Sequence, residues 1–168
     1  MKSSREYPAR PVVGVGGVVL IGGRVVLVRR ANEPRKGEWS LPGGTLELGE
    51  ALLDGTRREL GEETGLEVEV GPLIEVFERI HSDAAGRIRF HFIIFDYLCR
   101  THSGAPSAGG DALEVALARV DELEKYALSD TAKRIIGKAI AMTGDGGGRA
   151  MAGEHAPASG KPQCRRSR

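Results

Sequence analysis

The sequence predicts an α/β protein, a mixed β-sheet between helical layers, and three observations carry that reading. Segments of strand character and of helix character are interspersed along the chain instead of segregated. The early run PVVGVGGVVLIGGRVVLVRR is dense in valine and almost continuously apolar, as strands covered on both faces are. Further on, residues 50–64 repeat apolar side chains at the helical period.

The early run gives two strands, at about residues 12–21 and 25–29, joined at the Gly22-Gly23 turn. ANEPRKGEWSLPGG follows no period and is rich in glycine and proline, so it reads as a loop, with Trp39 as a packing residue beside it. The helix at 50–64 is stopped by Gly65, the residue type that favours a left-handed C-cap. LEVEVGPLIEVFERI alternates like a strand, with a break expected at Gly71-Pro72. HSDAAG is a turn, and RIRFHFIIFDYLC pairs back as a hairpin. Its apolar face is Ile88, Phe90, Phe92 and Ile94, which leaves His91 on the mixed face as a satisfied histidine. After a polar loop, EVALARV gives a short strand. A short helix near residues 121–125 and a longer one at about 129–142 follow, the latter capped by Ser129 or Asp130.

With 168 residues, 40% of them hydrophobic and 28% charged, one ordinary domain is expected. It spans residues 11–143, between a short N-terminal extension (1–10) and a tail (144–168) whose glycine, alanine, proline and charge predict disorder. That tail holds five basic residues against two acidic ones. It therefore carries +3 of a chain total of +1, which leaves residues 1–143 at −2. A mildly acidic body argues against nucleic-acid binding over a broad basic face. No apolar run approaches membrane-spanning length, and the basic N-terminus has no apolar core behind it, so neither membrane insertion nor a secretory signal is expected. Two cysteines, Cys99 and Cys164, are too few for a disulfide framework or a zinc site; Cys99 reads as a small buried hydrophobe and the expected compartment is the reducing cytoplasm.

The helix at 50–64 holds the chemistry. Glu59, Glu62 and Glu63 stand at i, i+3 and i+4, where like charges repel. On a wheel of about 100° per residue, Leu52, Leu53, Thr56, Leu60 and Thr64 form the core stripe, and the three acids border it instead of opposing it. Gly61 falls on the far side, while Gly55 leaves room beside the acids. Three carboxylates at the edge of a core call for a cation, and their oxygens suit hard divalent ions such as Mg²⁺ or Mn²⁺, which in turn meet phosphates. Gly43 and Gly44 supply a tight turn just before the helix, where backbone can approach a ligand closely, and Glu47 and Glu50 add two further acids at its entrance.

With these residues in place the sequence resembles the Nudix hydrolases. Their signature is Gly, five unspecified residues, Glu, seven more, then Arg-Glu-aliphatic-x-Glu-Glu-x-Gly-aliphatic. It is met here by Gly44, Glu50, Arg58, Glu59, Leu60, Glu62, Glu63, Gly65 and Leu66, with no departure at a fixed position. The resemblance extends over roughly residues 11–142. It implies an α/β/α sandwich and Mg²⁺-dependent cleavage, with Mn²⁺ as the alternative cation, of a nucleoside diphosphate linked to another group. Glu62 and Glu63 would be the principal metal ligands with the Gly43 carbonyl, and Glu59 a further ligand or the base that activates water. Arg58 would hold a glutamate in position. Arg30, at the end of the second strand, matches an arginine that often meets substrate phosphates, and Gly44 and Glu47 flank the same place. Asp111 and Glu114 lie where relatives often supply another acid, with Glu114 the chosen candidate.

The hairpin most resembles the ADP-ribose-pyrophosphatase-like group, so the expected substrate is a small nucleotide, ADP-ribose or a related nucleotide sugar. The proline of one ADP-ribose subfamily would fall at His81, and the tyrosine that marks dinucleoside-polyphosphate hydrolases is missing near Ser82 and Asp83. The alternatives are a nucleoside triphosphate pyrophosphohydrolase and a non-catalytic nucleotide sensor. Many members of the family pair, so the resemblance allows a homodimer.

Overall fold

The computed structural model describes residues 5–102 and 104–144. The disorder expected of residues 144–168 falls outside that range, except that Gly144 ends the last helix.

Valine-rich β1 (Val12–Ile21) and β2 (Arg24–Arg30) run antiparallel across Gly22 and Gly23, both at positive φ (54° and 73°). Two short strands, β3 (Trp39–Ser40) and β4 (Gly43–Thr45), lie within the stretch expected to be a loop. β3 pairs with β2, and β4 pairs with β1 at Gly14↔Thr45, Val15↔Gly44 and Gly16↔Gly43. A glycine-rich triplet has no side-chain alternation to announce a strand. Its pairing rests on close backbone approach: a Cβ on Gly43 would lie 2.4 Å from the Val15 carbonyl oxygen. Helix α1 (Leu52–Thr64) ends at Gly65 in the left-handed conformation (φ 68°), whose N–H donates to the Gly61 carbonyl.

β5 (Val68–Ser82) and β6 (Ile88–Thr101) form a long antiparallel hairpin. The break expected at Gly71-Pro72 is a pair of register shifts between Val70 and Glu75, and the strand continues through them. Proline is tolerated there because β5 is the last strand of the sheet, where a missing donor interrupts no ladder on the open side. β7 (Ala112–Arg119) returns along β2. A 3₁₀ turn (Val120–Tyr126) leads into α2 (Asp130–Gly144), where the Ala132 N–H donates to the Ser129 hydroxyl as an N-cap.

β1 and β6 are parallel from Val12↔Phe92 to Val19↔Cys99, while the other pairs are antiparallel, so the sheet is mixed, with β3-β2-β1-β6-β5 as its main path. Successive residues of the central strands face opposite helices. Val18, Val25, Leu27 and Leu98 pack against Ala132, Ile135, Ile136 and Ala139 of α2. Val19, Val26, Tyr97 and Cys99 pack with Leu60 of α1 and Leu66. That is an α/β/α sandwich. Trp39 packs edge-to-face on Tyr126 with centroids 5.2 Å apart, beside the α2 core. Residues 5–7 dock on the hairpin: the Tyr7 N–H donates to the Arg89 carbonyl at 2.7 Å, and Arg87 lies over the Tyr7 ring. Among the described residues no helix is long and apolar enough to cross a membrane.

Candidate active site

The buried side of α1 is Gly55, Thr56, Glu59, Leu60, Glu63 and Thr64. Two of the acids therefore lie within the core stripe and not merely along it, and Leu53, expected in the stripe, is 40% exposed. Burial of Glu59 and Glu63 is possible because β4 meets them with backbone N–H groups. Gly43 donates to Glu63 Oε2 at 2.8 Å, and Thr45 donates to Glu59 Oε1 at 3.0 Å. The glycines make the room. A Cβ on Gly44 would sit 2.1 Å from Glu59 Oε2. Gly43, at φ 154° and with β1 backbone against it, occupies a conformation that suits glycine alone.

Arg58 organises the other acids. Its guanidinium forks onto both oxygens of Glu50, at 2.8 and 2.9 Å, and also donates to Glu59 Oε1 and the Thr45 carbonyl. The bonds from Arg58, helped by the Glu47 N–H, hold the Glu50 carboxyl down at about 2. Gly55 opens the space used here, since a Cβ there would meet Leu46 Cδ1 at 2.6 Å and Glu50 Oε2 at 2.9 Å. Unlike these paired groups, Glu63 is pushed up to about 7 by burial, against the Gly43 N–H and with the charges of Glu59 and Asp111 adding to the effect. Burial also raises Glu59, opposed by Arg58.

Glu59 and Glu63 form the head of an open cleft. Gly43, Gly44 and Thr45 wall it on one side and Arg30, Arg35 and Asp111 on another. Arg30 Nε donates to the Pro34 carbonyl at 3.1 Å, and burial lowers its pKa while the Glu63 charge opposes that. Beyond the head the floor is Phe77, Phe92 and Ile94, with Arg79 and Asp96.

Of the residues singled out from sequence, Gly43, Gly44, Glu59, Glu63 and Arg30 line the cleft, and Arg58 stands behind Glu59. Besides Arg58, three more do not line it. Glu62 is exposed, 3.4 Å from Arg58. Glu47 is exposed and offers its N–H to Glu50. Glu114 lies within β7, which begins at Ala112, opposite Arg29, which its carboxylate binds at 2.7 Å. Its loop neighbour Asp111 lines the cleft and pairs with Arg5 at 3.7 Å. Arg79 and Asp96 went unnoticed in the sequence, although Asp96 is the lone acid inside a run of apolar strand residues.

Among the described residues, no three histidine, cysteine or acidic side chains are gathered closely enough to hold a metal ion by themselves. The donor set nonetheless suits a hard divalent ion. Glu59 and Glu63 offer oxygen alone, and burial raises both despite the Arg58 and Arg30 charges, so a bound cation would further favour their ionised forms. Mg²⁺ in particular is held by one or two carboxylates plus substrate phosphates and keeps several waters, which an open cleft permits.

Comparison with known proteins shows what the chain is similar to. The family model for the NUDIX domain matches residues 10–138. The chain is 34% identical over 127 residues to a protein of Methanocaldococcus jannaschii named ADP-ribose pyrophosphatase, covering 76% of this chain and 72% of that one. It is 31% identical over 128 residues to a MutT-like protein of Streptomyces ambofaciens, covering 74% and 76% respectively. Among solved structures, a MutT NUDIX hydrolase from Burkholderia pseudomallei superposes with a TM-score of 0.65 at 28% identity, covering 77% of this chain and 98% of that one.

Proposed function

The chain belongs to the Nudix family of pyrophosphatase hydrolases, and on that premise we propose that it cleaves, with Mg²⁺, the diphosphate joining adenosine to a second group, ADP-ribose or a related nucleotide sugar. The observation that carries this reading is the pair Glu59 and Glu63, set against the Gly43 and Thr45 amides at the head of a cleft that also holds Arg30 and Arg35. Glu59, Glu63 and the exposed Glu62 would hold the cation, with the Gly43 carbonyl. When bound, it neutralises phosphate charge and makes an attacking water more acidic.

The chain's own residues do the positioning. Arg30, held through Nε on the Pro34 carbonyl, and Arg35, paired with Glu38, also line the cleft, where their remaining N–H groups would meet the diphosphate oxygens. Arg58 fixes Glu59 through Oε1, which leaves Oε2 toward the cleft at Gly44 as the oxygen able to bind the cation or accept the water's proton. The β4 amides hold both acids in place before substrate arrives, so little reorganisation remains for the reaction.

A panel of nucleotides with Mg²⁺, read by product chromatography, tests this. ADP-ribose should yield AMP and ribose 5-phosphate with the highest kcat/KM. The likeness to a MutT-like protein favours a second reading, in which a nucleoside triphosphate yields pyrophosphate and a monophosphate. Dominant pyrophosphate release would overturn the ADP-ribose preference. Tight binding without cleavage of any diphosphate would replace the enzyme by a sensor.

A further inference from the structure

The inner end of the cleft is built unlike its head. Asp96, on β6, is only 5% exposed, lines the cleft, and takes no hydrogen bond among the described residues. Its place is made by a glycine, as Glu59's is: a Cβ on Gly16 would lie 2.4 Å from Asp96 Oδ1. Arg79, on β5, is half-buried and also lines the cleft. Its guanidinium lies over the Phe77 ring, 5.7 Å from the centroid, and feels the Asp96 charge at a distance, but makes no hydrogen bond or ion pair among the described residues. Folding alone would pair such groups, because a buried acid without donors and a guanidinium without acceptors are both costly.

The register shows what lies between them. Arg79 is opposite Phe92 and Phe77 is opposite Ile94, while Asp96 follows two residues further along the same face of β6. An apolar floor, part aromatic, thus has a fork of donors toward one end and a carboxyl at the other. A sugar, with hydroxyls on every side, matches such a floor poorly. A flat heteroaromatic ring with polar edges matches it well.

We propose that Arg79 and Asp96 are the specificity-determining residues that read the nucleobase, a purine whose exocyclic amino group donates to Asp96 and whose ring nitrogens accept from Arg79. The proposal rests on the pyrophosphatase reading for the place of the diphosphate at the cleft head. It goes beyond that reading in naming what selects the base. Adenine satisfies both ends. Hypoxanthine puts a carbonyl oxygen where the amino group was, so at about pH 8, where Asp96 is ionised and the binding test is run, two acceptors face each other.

The test titrates metal-free protein, which cannot turn over, with ADP-ribose and with its hypoxanthine counterpart in a calorimeter, and repeats both with Mg²⁺ as turnover assays. Wild type should prefer ADP-ribose by at least about tenfold, since a site built to accept from an amino group rejects its replacement. Asp96→Asn should bring the two within about threefold, because an amide can donate to the carbonyl oxygen. Arg79→Met should weaken both by about tenfold, the loss of a charged hydrogen bond. Equal wild-type affinities overturn the proposal without any variant, and so does an unchanged preference in folded Asp96→Asn. Base discrimination in metal-free binding without turnover would support the proposal and defeat the pyrophosphatase reading. Turnover indifferent to the base would do the reverse.

Discussion

Glu63 at the head of the cleft takes a hydrogen bond from the Gly43 N–H at 2.8 Å, whereas Asp96 at the inner end, no less buried, takes none among the described residues. Gly16 leaves room for Asp96 much as Gly44 does for Glu59 beside Glu63, and burial pushes Glu63 and Asp96 both up to about 7. The difference lies in the partner. At the head, β4 supplies fixed N–H groups that aim each carboxylate, as chemistry with strict geometry requires. At the inner end nothing in the fold supplies them, and the incoming molecule must. A bonded acid marks where the protein has fixed the geometry; an unbonded one marks where it leaves the choice to a ligand.

The largest way to break the head is Glu63→Gln. The amide keeps shape but loses ligand charge, so Mg²⁺-dependent turnover should fall by about a thousandfold. The metal-free melting temperature should be unchanged or slightly higher, because a buried charge is removed. Full activity in this variant would remove Glu63 from the metal site. Gly44→Ala comes next. Its Cβ lands on the Glu59 carboxylate, and turnover should drop by about a hundredfold through displacement of Glu59. Retained turnover would show that Glu59 can move without consequence.

Asp96→Asn sharpens the comparison through pH. The folded-state pKa of about 7 lies above the unfolded value of 3.8, so between those values the folded chain holds a proton that the unfolded chain has released. Stability from this group is complete below about pH 4 and is lost as pH rises through 7. The span is on the order of 4 kcal/mol. Metal-free Glu63 contributes with the same sign, so Asp96→Asn should flatten the fall in urea midpoint between pH 4.5 and 7 by about half and not abolish it. An identical profile in variant and wild type would contradict the burial argument. The smallest effect belongs to Glu114→Gln. With its carboxylate tied to Arg29 outside the cleft, the change should alter kcat/KM by less than about twofold and stability by under about 1 kcal/mol, as for an exposed ion pair. A tenfold loss of activity would return Glu114 to the site.

The head was legible because its residues are contiguous: one helix period brings Glu59 and Glu63 to one side, and two glycines stand next to it in the chain. β4 was not, because GGT has no alternation and its pairing depends on Gly14 and Gly16, some thirty residues earlier. The choice between Asp111 and Glu114 turned on where β7 begins. A boundary a few residues off exchanges a cleft-facing acid for one opposite Arg29. Asp96 announced itself as a charge in an apolar run. Its relation to Arg79 is set by the β5–β6 register, and that register includes shifts no local pattern predicts.

The open side of β5 has a consequence for how the protein behaves at high concentration. A fifteen-residue strand at a sheet's end is a template on which another chain can add a strand, and then another. Here Pro72 offers no N–H to such a visitor, and the shifts around it put any straight newcomer out of step. Glu69 and Glu78, both exposed, would meet their own copies in a parallel, in-register stack and repel them. Glu75 meanwhile is tied to Arg134 and Lys138 of α2 at 2.7 and 2.6 Å, which keeps the strand against its own helix. The same irregularities that interrupt the hairpin ladder act as a guard against fibrous aggregation.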